Sequence, residues 1–263
     1  LDGVDLPVFS VVTTVRNEAA NLVRFLNSVA AQRIKPAEVV VVDGGSTDET
    51  VELLHEFAQT APFPVQVIAE GKCNIAAGRN RGIKAAKHEI VVFIDAGCAL
   101  KANFFSAMVG PFTRSGDVDL VGGVYVAAPD ALHAHTFIAD WSRCDFTHFL
   151  PSARALAVRR GMTTAMGGFP EYLTHTGEDT LFDIEYRRAS RRWVFNRAAV
   201  VEWNGPHTVK AQLKLNHSYS RGDGESGLGD WRFYSQWSAK KRHTLAPLSA
   251  IDNAALEGYL DGR

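Results

Sequence analysis

The run Val39-Val40-Val41-Val42-Asp43-Gly44-Gly45-Ser46 constrains the fold of this chain more than any other stretch. Four successive β-branched residues with no polar alternation suit a strand covered on both faces, as parallel strands are in helix-flanked sheets. The aspartate at its end and the glycine turn behind it set one polar group on the C-terminal edge of the sheet, where open α/β sheets bind ligands. Ser46 and Glu49 stand at capping-box spacing, which predicts that the next helix begins there. A second apolar run, Ile90-Val91-Val92-Phe93-Ile94-Asp95, ends in the same way. Two strand-end carboxylates on one rim predict a polar ligand site.

The neighbouring segments alternate strand and helix. Phe9 to Val15 reads as a first strand, and Ala19, Leu22, Val23, Leu26, Val29 and Ala30 then recur at helical spacing over Ala19 to Ala31. Pro36 breaks the chain before the valine strand, and Val51, Leu54, Phe57 and Ala58 mark the inward face of a second helix. Val65 to Ala69 is a short third strand; Asn74 caps a third helix running to Ala86, and Ile90 to Asp95 is the fourth strand. This βαβαβαβ order predicts a doubly wound, mostly parallel sheet with right-handed crossovers. Beyond residue 100 the pattern is less regular. Helices are expected over Ala102 to Phe112, Asp130 to Phe149 and Glu178 to Ala189, with a strand over Leu120 to Val126. Gly222 to Gly229 holds four glycines in eight residues and reads as a mobile loop, either a lid or a surface connection.

At 263 residues and 46% hydrophobic content the chain can bury a substantial core. A net charge of −1 gives no overall case for nucleic-acid binding. Cys73, Cys98 and Cys144 form an odd, unpatterned set, which fits reduced thiols in the cytoplasm better than a disulfide framework. The apolar runs fall short of the roughly 20 residues that span a bilayer, and the N-terminus lacks a basic region followed by an apolar segment. His133 and His135 do not share a helix face and so make no metal pair.

Six elements occur in a telling order: Arg16-Asn17-Glu18; Asp43-Gly44-Gly45-Ser46-Thr47-Asp48 after its valine strand; Ala77-Gly78-Arg79-Asn80-Arg81-Gly82; Asp95-Ala96-Gly97-Cys98; Gly167-Gly168-Phe169-Pro170-Glu171; and Gly177-Glu178-Asp179-Thr180. Over roughly residues 8–225 the chain resembles glycosyltransferase family 2, inverting sugar transferases of α/β GT-A fold. The resemblance implies one domain over 1–225, with a nucleotide-binding half over 1–100, an acceptor-binding half over 101–225 and a helical C-terminal extension over 226–263. It implies transfer of a sugar from a nucleotide diphosphate sugar to a hydroxyl acceptor, such as a glycan or a lipid-linked sugar, assisted by Mg²⁺ or Mn²⁺. Two alternatives from other classes stand beside it: a non-catalytic nucleotide-sugar-binding protein, and a sugar-1-phosphate nucleotidyltransferase. The latter would favour a glycine-rich loop and a lysine, which Thr13 to Ala19 lacks.

By matching position, Thr14, Val15, Arg16 and Glu18 would line the nucleotide pocket and Asp43 would bond the base. Arg79, Asp95, Ala96 and Arg221 would face the donor's diphosphate or sugar. Asp95 would also hold the metal as the first aspartate of a DXD motif, with His207 as a second ligand; the sequence departs from that motif at Gly97 and Cys98. Asp179 would be the general base, with Glu178 orienting it or the acceptor, and Ser152, Arg154 and Gly168 would border the acceptor cleft. Each role has a structural counterpart. Asp43 and Ser46 also suit a turn cap, Arg79 a solvated charge, and Glu178 and Asp179 a helix start favoured by its dipole. The glutamine–arginine–tryptophan signature of processive relatives is absent, which argues against a polymer synthase. Trp231, Phe233, Tyr234 and Trp237, followed by Lys240-Lys241-Arg242, suit either a helix packed on the domain or one peripheral on the inner face of a membrane.

Overall fold

The computed structural model describes residues 6–132, 151–174 and 176–227. The helix expected over Asp130 to Phe149, the two histidines within it and the C-terminal extension beyond residue 227 lie outside the described residues. In chain order the elements are β1 (Phe9–Val15), α1 (Ala19–Ala30), β2 (Glu38–Asp43), α2 (Thr50–Thr60), β3 (Val65–Ala69), α3 (Ile75–Ala85), β4 (Ile90–Phe93) and β5 (Cys98–Leu100). There follow α4 (Phe104–Arg114), β6 (Val118–Ala127), β7 (Leu156–Arg159), α5 (Arg160–Ala165), α6 (Glu178–Ala189), β8 (Arg192–Trp203) and α7 (Val209–Ser226). All eight strands join one sheet in the order β3-β2-β1-β4-β7-β6-β8-β5. The first four in chain order are mutually parallel, with Val11 opposite Val39 and Val15 opposite Asp43. β7 runs antiparallel between β4 and β6, β8 is parallel to β6, and β5 closes the far edge antiparallel to β8. This is the mostly parallel, helix-flanked sheet that the strand–helix alternation predicts.

The valine run is buried on both sides because successive side chains of a strand point to opposite faces. Val39 and Val41 pack with Leu22, Phe25, Leu26 and Leu54 of α1 and α2, and with Phe104 and Phe105 of α4. Val40 and Val42 pack with Ile83 of α3 and with Phe182 and Tyr186 of α6. Each buried valine contributes about 1.5–3 kcal/mol relative to exposure. On the α3 side the helix lies unusually close to β1. A Cβ at Gly78 would stand 2.7 Å from Thr14 Cγ2, and one at Gly82 would stand 2.3 Å from Val12 Cγ1. These two glycines bring α3 down onto the sheet and so fix the height of Arg79 and Asn80.

Three local expectations are corrected. Ser46 and Glu49 form no capping box: α2 begins at Thr50, and Ser46 turns back to accept from the Asn17 backbone and donate to Asp43. β4 ends at Phe93, so Asp95 lies beyond the strand, in the turn before β5. Gly222 and Gly224 belong to no loop. They are buried in the last turns of α7, where a Cβ at Gly222 would fall 1.9 Å from the Thr176 carbonyl oxygen, and the left-handed residue that ends the helix is Gly227, with φ of +69°. That glycine density serves close approach of helix to backbone rather than mobility.

Candidate active site

The C-terminal rim of the parallel strands is assembled from short-range polar contacts. Asp43 accepts from the backbone of Gly45 at 3.1 Å and Ser46 at 3.0 Å, so its carboxylate organises the turn behind β2. Asn17, at φ of +55°, accepts from the Thr47 backbone at 2.8 Å and ties the β1 loop to that turn. Asp48 accepts from the Ala19 backbone and from Thr50, which joins the starts of α1 and α2. Asn74 caps α3 by accepting from Ala77 at 2.8 Å, and its amide donates to the carbonyls of Glu171 and Leu173. Asn80 grips the same segment: it accepts from the Phe169 backbone at 2.7 Å and donates to the Phe169 carbonyl and to Glu171. Gly168 makes this grip feasible, since its φ is +81° and a Cβ there would lie 2.3 Å from Asn80 Oδ1.

Two clefts open along this rim. The first, of about 580 Å³, is lined by Thr14, Val15, Arg16 and Glu18 from the end of β1, and by Gly44, Lys72, Cys73 and Asn74 opposite. Burial raises the Glu18 carboxyl above its ordinary pKa, partly countered by the Asn21 amide, while Asp95 and Asp48 add to the rise. The second cleft, of about 570 Å³, holds Arg79, Asp95, Ser152, Arg154, Glu178 and Asp179 together with Tyr125, Tyr219 and Asp223. Ile75, the first residue of α3, lines both.

At the floor of the second cleft Arg79, 3% exposed, donates to Glu178 Oε1 at 2.5 Å and to Asp95 Oδ1 at 2.9 Å. Burial works against the charge of Arg79, but Glu178 and Asp95 outweigh it and hold the guanidinium protonated. For Glu178 burial wins over Arg79 and raises its pKa. Arg79 is therefore an internal clamp between two carboxylates rather than a solvated charge. Asp179, in the first turn of α6, is half-buried and faces the cleft. Its Oδ2 has only 3.4 Å contacts to Ser152 Oγ and the Ala153 backbone N–H, while Oδ1 accepts from Thr180 at 2.9 Å. One helical turn on, Asp183 is fully buried with neither oxygen hydrogen-bonded; burial, then the neighbouring Asp179, pushes its pKa well above the carboxylate range.

Arg154 enters from the far wall. Its guanidinium carbon lies 5.0 Å from the ring centre of Tyr125 and 4.6 Å from that of Trp203, and Asp95 Oδ2 is 3.8 Å from its Nε. Its terminal nitrogens donate to Ser152 Oγ at 3.1 Å and to the Tyr219 hydroxyl at 2.8 Å. Burial acts against its charge, and Tyr219 and Asp95 more than compensate. The aromatic partners Tyr125, Trp203 and Tyr219, like Lys72 and Cys73 at the first cleft, carry no sequence signal that singles them out. They come from elements distant in the chain and meet only through the sheet.

Other expected positions fall elsewhere. Asp43 sits behind the first cleft with its oxygens turned onto its own turn. Ala96 is buried in the hydrophobic core. Gly168 packs on Asn80, and Arg221 pairs with Glu225 along α7. His207 lines a separate cavity, where its ring nitrogens meet the Asp130 carbonyl and Asn204 Oδ1. A divalent cation does not fit the described residues around Asp95. Both Asp95 oxygens face guanidinium groups, position 97 offers no side chain, and no group of three or more His, Cys, Asp or Glu stands together as a metal-binding set among the described residues.

Comparison with known proteins agrees with this geometry. Residues 10–172 match Glycosyl transferase family 2. Glycosyltransferase AglE of Haloferax volcanii is 30% identical over 182 residues, which make up 66% of this chain and 59% of that relative. An uncharacterized glycosyltransferase of Nostoc sp. is 34% identical over 113 residues, 43% of this chain and 34% of the relative. The chain thus spans about a third to three-fifths of the length of these two curated relatives. Among solved structures, the mannosyltransferase PcManGT of Pyrobaculum calidifontis, in complex with GDP-Man and Mn²⁺, superposes with a TM-score of 0.65 at 18% identity, over 97% of this chain and 70% of that one. TarS of S. aureus with UDP-GlcNAc superposes with a TM-score of 0.63 at 19% identity, over 82% of this chain and 66% of that one. The likeness to these structures is one of fold, and with the sequence match running from β1 past Gly168 this chain belongs to glycosyl transferase family 2.

Proposed function

We propose that this chain is an inverting glycosyltransferase that moves a sugar from a nucleotide diphosphate sugar to a hydroxyl acceptor, a glycan or a lipid-linked sugar. The observation that carries the reading is the junction at Ile75, where a cleft of nucleotide size meets a second cleft whose half-buried carboxylate, Asp179, keeps one oxygen only loosely engaged. The nucleotide occupies the first cleft between Thr14 to Glu18 and Lys72 to Asn74. The sugar and acceptor occupy the second. Asp179 takes the acceptor proton as the acceptor oxygen's lone pair forms a bond to the anomeric carbon. The bond from that carbon to the diphosphate breaks on the opposite face, and its electron pair leaves on the phosphate oxygen. Arg79 holds Asp95 and Glu178 at fixed positions beside the reacting atoms, and Ser152 and the Ala153 N–H aim Asp179.

PcManGT was solved with GDP-Man and TarS with UDP-GlcNAc, which supports a nucleotide diphosphate sugar as the donor class here. The Mn²⁺ of PcManGT is the support for the expected divalent cation, but the donor set around Asp95 leaves no step that can be routed through it. No helix among the described residues is long and apolar enough to cross a membrane. The reading retains a cytoplasmic enzyme that can sit peripherally on a membrane, which fractionation of expressing cells tests. The decisive experiment offers a panel of nucleotide diphosphate sugars with hydroxyl acceptors. Release of free nucleoside diphosphate with formation of the opposite anomer supports the reading, whereas release of pyrophosphate or binding without turnover overturns it.

A further inference from the structure

We propose that Arg154, held on Asp95, supplies the positive charge at the leaving diphosphate, so that this chain binds its donor without a divalent cation. The inference rests on the reading of the two clefts as a nucleotide-sugar site and names the group that meets the diphosphate there.

Three observations converge on Arg154. The first is the state of Asp95. Arg79 donates to its Oδ1 at 2.9 Å and Arg154 Nε approaches its Oδ2 at 3.8 Å, so the carboxylate is bracketed by two fixed cations. A third cation on the same oxygens meets like-charge repulsion from both sides. The second is position 97. A Cβ there would have no atom within 4 Å, so the fold has room for a side chain that this sequence does not place. The Gly97 carbonyl instead accepts from the Asn204 backbone at 2.8 Å.

The third is how Arg154 is held. Its stem is largely buried, its guanidinium carbon lies beside the Tyr125 and Trp203 rings, and Ser152 and Tyr219 take its terminal nitrogens. Its Nε is buried without a hydrogen-bond partner, while the side chain lines the second cleft beside Asp95. A guanidinium carries several donors in a rigid plane suited to phosphate oxygens. Fixing that plane in advance removes the reorganisation a mobile side chain would need as charge develops on the departing phosphate oxygen. Asp95 is then a positioning residue that fixes two arginines, and Arg154 is the group that touches the substrate.

Calorimetric titration of the purified chain with UDP, GDP, ADP, CDP and dTDP, in EDTA and again in Mn²⁺, tests this. One or more of these nucleotides should bind with the same affinity in both buffers. Arg154→Met should weaken that binding about tenfold or more in each buffer, Arg154→Lys should weaken it less, and Asp95→Asn should weaken it equally in both. Urea unfolding confirms that each variant is folded, and the wild-type comparison decides the metal question even if a variant is not. Binding that appears only with Mn²⁺ overturns the inference and leaves the proposed function standing. Unchanged binding by a folded Arg154→Met removes Arg154 from the diphosphate. Failure of every nucleotide in both buffers overturns the proposed function and this inference together.

Discussion

Arg79 and Glu178, 99 positions apart, meet at 2.5 Å with both side chains almost wholly excluded from water. The pair fastens α3 to the first turn of α6, which carries Asp179. Because the same guanidinium reaches Asp95, any displacement of α3 moves the floor of the second cleft.

The clamp predicts a large stability loss when its cation is removed. Arg79→Met should cost about 3–5 kcal/mol, the scale for leaving a buried charge without its partner. Adding Glu178→Gln to that variant should recover part of the loss, because the stranded charge is then gone. Urea denaturation of the two variants and the parent measures both effects.

Asp179→Asn separates chemistry from binding. The amide keeps an oxygen to accept from Thr180 but takes up no proton, so transfer should fall by roughly 10²-fold or more. Nucleoside diphosphate affinity should stay at the parent value. Comparison of turnover with calorimetric binding checks the split, and near-normal turnover removes Asp179 as the base.

Gly168 is required by geometry. Gly168→Ala should destabilise by about 1–3 kcal/mol, since a side chain at φ of +81° is strained and its Cβ collides with the Asn80 amide. The nearby Gly167 also has positive φ but open space around it, so Gly167→Ala should cost less. Melting temperatures of the two variants test the ordering.

Asp183 predicts a particular pH dependence. Its folded pKa is raised, so from about pH 4 upward the unfolded chain loses a proton that the folded chain keeps. The folded state then binds more protons than the unfolded one, and stability falls as pH rises, by up to about 1.4 kcal/mol per pH unit from this group. Asp183→Asn should abolish that contribution. The variant should gain melting temperature over the parent at pH 8, and the gain should shrink toward pH 4.

Much of the fold can be read from side-chain periodicity. β1, β3 and α6 fall at the expected residues, and α1 ends one residue short, because apolar spacing and chain breakers of the local sequence mark them. The failures share a cause. Ser46 has the sequence of a cap, but Asp43 takes its hydroxyl and backbone N–H and the Asn17 N–H donates to the same hydroxyl, a contact that exists only once β1 and β2 are paired. Gly222 and Gly224 read as flexible because glycine density has two physical meanings, and only the Thr176 backbone beside Gly222 selects close packing there. The site divides in the same way. Asp95, Arg79, Glu178 and Asp179 were legible as motif residues. The box around Arg154 was not, since Tyr125, Trp203 and Tyr219 lie on β6, β8 and α7 and have no mutual spacing to betray them.

The strand that fills the gap between β4 and β6 is β7, made of residues later in the chain than either neighbour. On the ribosome, β4 therefore emerges with one edge lacking its partner, exposing a row of unpaired backbone groups that invites association with other chains. The early strands cannot mature as a free-standing unit while synthesis continues. Pairing of β7 with both neighbours places Arg154, just upstream of it, beside Asp95, and Ser152 where Asp179 later meets it. β8, α6 and α7 are later still and carry the far edge of the sheet with Glu178, Asp179 and Tyr219, so a nascent chain halted before β7 is an unfinished sheet without most of the second cleft.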